Sequence, residues 1–410
     1  MCYAALMAAA ARRARIRPRP REGRLRSFRI DGAAPFTGPV ELELEPGRTV
    51  LVGKNGAGKS ALLEQLQACA ALALADVTEP GSVFLPGPLT FSCRFDVEGT
   101  EYQYGFTYVW GIDGEDASGP RPRRVAEWGE ECRRVADNAL VWEVRDSIAK
   151  TGAGAEIAIG KGRSMLSTDA PNTFPLPEAA TWLEGLFARL VRLAAGVPRS
   201  AADARHPAYQ FRSAARGTRK LLFSPSNGYS GSARIDSLVC AILNWHAVDK
   251  ERFEEFSAIG ARMGLWSRVE THLTEMKLAE PGELGWVTLD GDPLGVASDG
   301  TLRVADIIRL LTSPSPLLLI EEPETSIHPG LLSKLLAEID SYGKGRQIIM
   351  STHSLQVVSA CNVSEIRLVT RNAGRTRATK LTGQQISDVS KYLNEDHTLG
   401  QALFAADFDE

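Results

Sequence analysis

The sequence predicts an α/β fold: a mixed sheet built on a glycine-rich loop, an antiparallel β subdomain beside it, and a helical insertion. Three stretches carry this expectation. Residues 49–60, Thr-Val-Leu-Val-Gly-Lys-Asn-Gly-Ala-Gly-Lys-Ser, read as strand, glycine loop and helix start, and they fit G-x-x-x-x-G-K-[ST]. Pro316–Glu322, Pro-Leu-Leu-Leu-Ile-Glu-Glu, reads as a buried strand that ends in two carboxylates. Gln347–Met350 reads as a further strand, and Ser351-Thr352-His353-Ser354 follows it.

The first stretch has the chemistry of a phosphate loop. Glycines let backbone N–H groups turn inward and approach phosphates closely. The helix that begins after the loop points unpaired donors and a partial positive charge at the same anion. Leu62, Leu63, Leu66, Cys69 and Ala70 recur at helical spacing behind it. The expected nucleotide-binding set is Gly53, Lys54, Asn55, Gly56, Ala57, Gly58, Lys59 and Ser60. In it, Lys59 reaches the β- and γ-phosphates and the Ser60 hydroxyl is a ligand for Mg²⁺. A glycine turn before a core helix is the bland alternative, and the flanking strand and helix argue against it.

Composition bounds the rest. With 44% apolar and 24% charged residues, the 410-residue chain has the make-up of a globular protein with a full core. The net charge of −3 is uneven: residues 1–26 hold eight Arg and one acidic residue, so the remainder is net acidic. Bulk charge therefore gives no support for nucleic-acid binding by the body of the chain. The six cysteines form no C-x-x-C pair, which argues against a zinc site or a disulfide framework and for a reducing cytoplasm. No apolar run reaches the roughly 18 residues of a membrane span.

Residues 1–24 read as a disordered Arg/Pro-rich leader, with a nucleic-acid-binding arm as the alternative. Residues 25–174 are expected to hold the first half of the nucleotide-binding domain. Ser27–Ile30 and Val40–Leu44 look like strands, and Pro46-Gly47 turns the chain into the loop strand. Leu89–Phe95, Tyr102–Trp110 and Ala139–Val144 suggest the antiparallel sheet. Gly-Lys-Gly-Arg-Ser at 160–164 imitates a phosphate loop but lacks its leading spacing, and reads as a turn.

Residues 175–285 are expected to be the helical insertion. Trp182, Leu183, Leu186, Leu190 and Leu193 mark one helix, and Ile235–Trp245 and Phe253–Met263 two more. Residues 198–232 read as long loops, in which Arg212, Arg216, Arg219 and Lys220 are more simply solvated than phosphate-binding. Residues 286–375 are the second half of the domain, and 376–410 a C-terminal tail. At the end of the Pro316–Glu322 strand, Glu321 would hold the Mg²⁺ shell and Glu322 would polarise the attacking water. His353 at a strand end is a candidate γ-phosphate sensor, although a His by itself is more often structural. His328-Pro329 also suits a helix start.

Five stretches together resemble the soluble branch of the ABC-type ATPases that includes the SMC, RecF and OLD proteins, and in particular bacterial AbiEii-like "AAA family" ATPases. They are Ser27–Ile30, the phosphate loop, Ala297–Arg303, Ile320–Pro329 and Ser351–Ser354. The resemblance implies an ATP sandwich between two copies of the chain, with ATP and Mg²⁺ bound. In it, Ser298 and Gly300 would contact the γ-phosphate held by the other copy. Asn55 would help position nucleotide or water, and Ser326–His328 would occupy the loop that crosses between the two sites. Two positions depart from the wider ABC pattern: Glu321 stands where Asp is usual, and Ser-Asp-Gly-Thr replaces Ser-Gly-Gly-Gln. Fewer residues follow His353 than a Toprim nuclease domain takes, so the ATPase is expected without one, acting on a separately encoded effector such as a nuclease or toxin. Related systems suggest defence against phage; nucleic acid is a further candidate ligand. The competing readings are an ABC transporter's ATPase subunit and a phosphotransferase. The signature stretch and the long insertion argue against the first, and the second leaves the signature and the His353 strand unexplained.

Overall fold

The computed structural model describes residues 23–74, 88–111, 115–116, 119–120, 124–159, 162–167, 177–194, 210–213, 233–276 and 282–385. In chain order, β1 (Gly23–Asp31), β2 (Val40–Glu43) and β3 (Arg48–Val52) lead to α1 (Lys59–Leu74). A β-rich stretch follows: β4 (Leu89–Val97), β5 (Thr100–Gly111), the two-residue strands β6 (Glu115–Asp116) and β7 (Gly119–Pro120), β8 (Arg124–Arg134), β9 (Leu140–Arg145), β10 (Ile148–Thr151) and β11 (Glu156–Ala158). Then come α2 (Glu178–Arg189), β12 (Val191–Leu193), β13 (Gln210–Ser213), α3 (Ala233–Val248), α4 (Lys250–Met263), β14 (Val269–Met276), β15 (Gly282–Leu289) and β16 (Asp292–Pro293). The last third carries α5 (Asp299–Leu311), β17 (Leu317–Glu321), α6 (Pro329–Tyr342), β18 (Gln347–Thr352), α7 (Leu355–Ser359), β19 (Ile366–Asn372) and β20 (Arg375–Lys380).

The chain forms two compact units. The first comprises Met1–Arg192, Ser315–Glu321 and Gly345–Glu410; the second comprises Leu193–Pro314 and Glu322–Lys344.

Two sheets build the first unit. One has the order β12-β17-β18-β3-β19-β20. In it β17, β18, β3 and β19 run parallel, and β20 closes the edge antiparallel. Every residue of β3, β17 and β18 is buried, which is why their centres, Val50–Val52, Leu317–Ile320 and Ile348–Met350, read as continuous apolar runs rather than alternating ones. The other sheet is antiparallel, β11-β10-β9-β8-β5-β4-β1-β2. It alternates: Leu89, Phe91 and Cys93 of β4 are buried between exposed or half-buried neighbours. One core joins Leu62, Leu63 and Leu66 of α1, Leu51, Leu319 and Ile349 of the parallel strands, and the inner face of the antiparallel sheet. Onto that face α2 lays Trp182, whose ring stacks on Phe95 at 5.2 Å, and Phe187, edge-on to Phe91 at 6.1 Å.

Two buried polar side chains tie this unit together. Gln347, at the start of β18, accepts from Leu25 N and donates to Leu25 O, both at 2.7 Å, and it also donates to Glu45 O at 3.1 Å. Leu25 lies where the β1–β4 register shifts, so the glutamine fills backbone valences that the ladder leaves open there. Glu130 of β8 accepts from the indoles of Trp128 and Trp142 at 3.2 and 3.0 Å, from Met165 N at 2.9 Å, and from Tyr104 OH at 3.4 Å. Burial pushes the Glu130 carboxyl above the ordinary carboxylate range.

In the second unit, α3 and α4 pack through Trp245 and Phe256, and Trp266, just past α4, stacks on Phe256. Gly260 permits this: a Cβ there would lie 2.0 Å from the Trp266 ring. Arg262 of α4 forks onto Glu338 of α6 at 3.0 and 3.1 Å. A four-stranded antiparallel sheet joins β13, β15, β14 and β16.

Several expectations change. The span 175–285 is not wholly helical, because β12, β13, β14 and the first half of β15 lie in it. β14 carries polar residues on both faces, as in Glu270-Thr271-His272, and shows no period-two signal. Leu193 leaves the helix and joins β12, which pairs beside β17. The boundaries expected after residues 24, 285 and 375 fall inside β1, β15 and β20. The leader up to residue 22, most of 198–232, Gly160-Lys161, and the tail after 385 lie outside the described residues.

Candidate nucleotide site

The phosphate loop spans Gly53 to Gly58 between β3 and α1, as the motif requires. Gly56 and Gly58 take positive φ, 81° and 106°, which a side chain would strain. Gly53 is needed for room: a Cβ there would meet Val369 O at 2.1 Å. Thr376 of β20 supports the loop from outside by donating to Ala57 O at 3.1 Å. Lys59 is buried and donates to Gly53 O at 2.6 Å and Lys54 O at 3.2 Å, so its ammonium sits within the turn of the loop. Lys54, Asn55, Gly56 and Ser60 are exposed, and Ala57 is buried.

Register gathers the other candidates of this unit. Glu321 pairs with Ser351, Ser351 with Leu51, and Thr352 with Val52. Because the three strands are parallel, their C-terminal ends lie on one edge, which carries the start of the loop, Glu321 and exposed His353. This is the edge where α/β sheets bind ligands. Glu321 is only 2% exposed and pairs with the guanidinium of Arg192, which also lies 3.8 Å from Glu64. Sequence reasoning missed Arg192. It belongs to no motif, and only the pairing of β12 beside β17 brings it there.

Glu321 and Ser60 supply a carboxylate and a hydroxyl, the hard oxygen donors that suit Mg²⁺. The buried Glu321 already carries a cationic partner, so the position accepts positive charge.

The second unit holds Glu322, Ser298 and Gly300. Glu322 has φ 45°, a left-handed conformation rare for a side-chain-bearing residue. Arg303, 2% exposed on α5, holds this backbone by donating to Glu322 O at 3.3 Å and to Ala194 O at 2.6 Å. Ser298 caps α5: its Oγ accepts from Thr301 N at 3.1 Å. Gly300 follows in the first turn, where a Cβ would lie 2.4 Å from Ser326 O. The signature segment and the Ser326–His328 loop thus meet at that glycine. His328 is exposed and caps α6, its Nδ1 accepting from Gly330 N at 3.1 Å, and Pro329 opens the helix.

Fold and site together define a P-loop nucleoside-triphosphatase of the ABC type, with a phosphate loop on the parallel sheet and an antiparallel sheet packed on the same core. The chain belongs to the family described as "AAA domain, putative AbiEii toxin, Type IV TA system", whose model matches residues 48–359. No curated protein matches the chain. Among solved structures it is similar to an SMC head bound to the C-terminal winged-helix domain of ScpA, with 12% identity and a TM-score of 0.46, covering 88% of this chain and 99% of that one. An SMC head domain from Thermotoga maritima is 14% identical at a TM-score of 0.43, covering 88% and 99%. A Pyrococcus furiosus Smc head with an extended coiled coil, bound to the C-terminal domain of ScpA, is 9% identical at 0.43, covering 91% and 100%.

Proposed function

We propose that this chain binds ATP with Mg²⁺, hydrolyses it, and uses the cycle to close and reopen a homodimer that controls a partner protein. The observation that carries the reading is the single sheet edge bearing the phosphate loop, Glu321 and His353. Lys59 and the loop N–H groups hold the phosphates. Ser60 and Glu321 hold Mg²⁺, which supplies charge neutralisation at the phosphates when bound. The Glu322 carboxylate accepts the proton of the attacking water, and His353 donates to the γ-phosphate. One chain carries one phosphate loop and one signature segment, so Ser298 and Gly300 serve the nucleotide of a second copy. The family description names a toxin–antitoxin system, which supports a regulated effector as the partner, and defence against phage is the setting that reading suggests.

Glu322→Gln is the direct test. The amide keeps the shape but cannot take a proton, so ATP binding persists and hydrolysis falls at least about 100-fold. Light scattering with ATP should then report a trapped dimer. A variant that stays monomeric and turns over ATP at the wild-type rate contradicts both roles.

A further inference from the structure

A cationic cavity lies on the outer side of the phosphate loop. The hairpin of β19 and β20 carries Arg371, Arg375 and Arg377, all exposed. Together with Lys54, Asn55 and Gly56 of the loop they line an open cavity of about 940 Å³. Among the described residues no carboxylate lines it, and none pairs with these three arginines. Some other surface arginines of this unit have acids beside them: Arg133 pairs with Glu131, Arg134 with Asp137, and Arg145 with Glu143. The sequence carries the same signal, since no acidic residue occurs between Glu365 and Asp388 in a chain that is acidic overall.

We propose that this cavity takes the phosphodiester backbone of a nucleic-acid strand. The spacing selects an extended polyanion over a lone phosphate. Arg375 and Arg377 share one face of β20, about 6.7 Å apart along the strand. That separation suits successive phosphates of an extended nucleotide strand, whereas the anhydride-linked phosphates of polyphosphate lie much closer together. The register also fixes the wall: Thr376, between the two arginines, points into the loop and anchors β20 to Ala57, leaving its neighbours to face outward. Arg371 is steadied by its bond to Pro35 O at 3.2 Å. Among the described residues no aromatic side chain lines the cavity, and the strand is held through its phosphates, without sequence preference. The site does not depend on the proposed hydrolysis; it shares only the outer residues of the loop.

The test is fluorescence anisotropy of a labelled, mixed-sequence single-stranded DNA against the full chain without nucleotide, at salt from about 50 to about 200 mM. Arg375→Ala/Arg377→Ala should weaken binding about tenfold or more and make the log–log salt slope shallower by about 1.4, the share of two phosphate contacts on a single strand. A labelled ATP analogue and circular dichroism show that the double variant is folded, since both side chains are exposed. Arg133→Ala/Arg134→Ala removes two charges elsewhere and should leave the affinity unchanged. Lys59→Ala, which disables the proposed nucleotide site, should bind the oligonucleotide as wild type does, so failure of the ATPase reading and failure of this one are separable. The proposal is overturned if wild type does not bind the oligonucleotide, if the Arg375/Arg377 variant binds it equally well, if the Arg133/Arg134 variant loses as much, or if inorganic polyphosphate binds where the oligonucleotide does not.

Discussion

At the scale of single residues, two buried carboxylates behave differently because their partners differ. Glu321 has a guanidinium. Removing that partner leaves a charge in a buried site, so Arg192→Ala should cost about 3 kcal/mol in the nucleotide-free protein. The cost should shrink in saturating ATP and Mg²⁺, when a cation again faces the carboxylate. Thermal melts of wild type and variant with and without both ligands measure the difference, and an equal cost in both conditions would count against Glu321 as a metal ligand. Glu130 has only neutral donors around it, and burial raises its pKa. The folded chain therefore favours the protonated acid, whereas the unfolded chain releases that proton near pH ~4.3. The stability Glu130 contributes is complete below that pH and declines as pH rises through its higher folded-state value. Glu130→Gln removes the titration. The stability gap between wild type and variant should thus be widest near pH ~4.3 and narrow toward neutrality, as read by urea unfolding across pH.

Elements differ in how far the sequence announced them. The phosphate loop was legible because its signals are local: glycine positions, a preceding strand and a following helix lie within 26 residues of one another, from Thr49 to Leu74. β17 and β18 were legible because strands buried on both faces carry apolar residues at successive positions, here Leu317–Ile320 and Ile348–Met350. β14 was not, since its exposed Leu273 and Thr274 and half-buried Thr271 and His272 show no clean alternation. Arg192 could not be found from sequence at all; its partner lies 129 residues away. Gly300 was expected as a phosphate contact, and the structure adds a packing reason for it. Gly300→Ala should destabilise the start of α5 by about 1–3 kcal/mol, because the new methyl group meets a backbone carbonyl rather than a movable side chain. Gly47→Ala, with nothing within 4 Å, is the matched control. Denaturant midpoints of the two variants should separate clearly.

On the scale of the whole molecule, the proposed dimer divides each site between copies. Ser298→Arg should leave nucleotide binding by its own chain intact, since Ser298 only caps α5 there, yet it should block assembly and hydrolysis. Lys59→Ala should lose nucleotide affinity roughly 100-fold, as a charged contact worth about 3 kcal/mol is removed. Mixing the two inactive variants should restore part of the ATPase rate, because a mixed dimer has one site with both lesions and one with neither. Wild-type turnover by Ser298→Arg on its own would show that the signature is misassigned.

Gln347 carries a consequence of another kind. Its amide occupies both the N–H and the C=O of Leu25, so a backbone position in the antiparallel sheet is hydrogen-bonded to a side chain of the parallel one. The strand that supplies that side chain is the one that His353 follows. The Leu25 amide proton can pass into deuterated water only when Gln347 lets go, so its exchange rate times the parting of the two sheets.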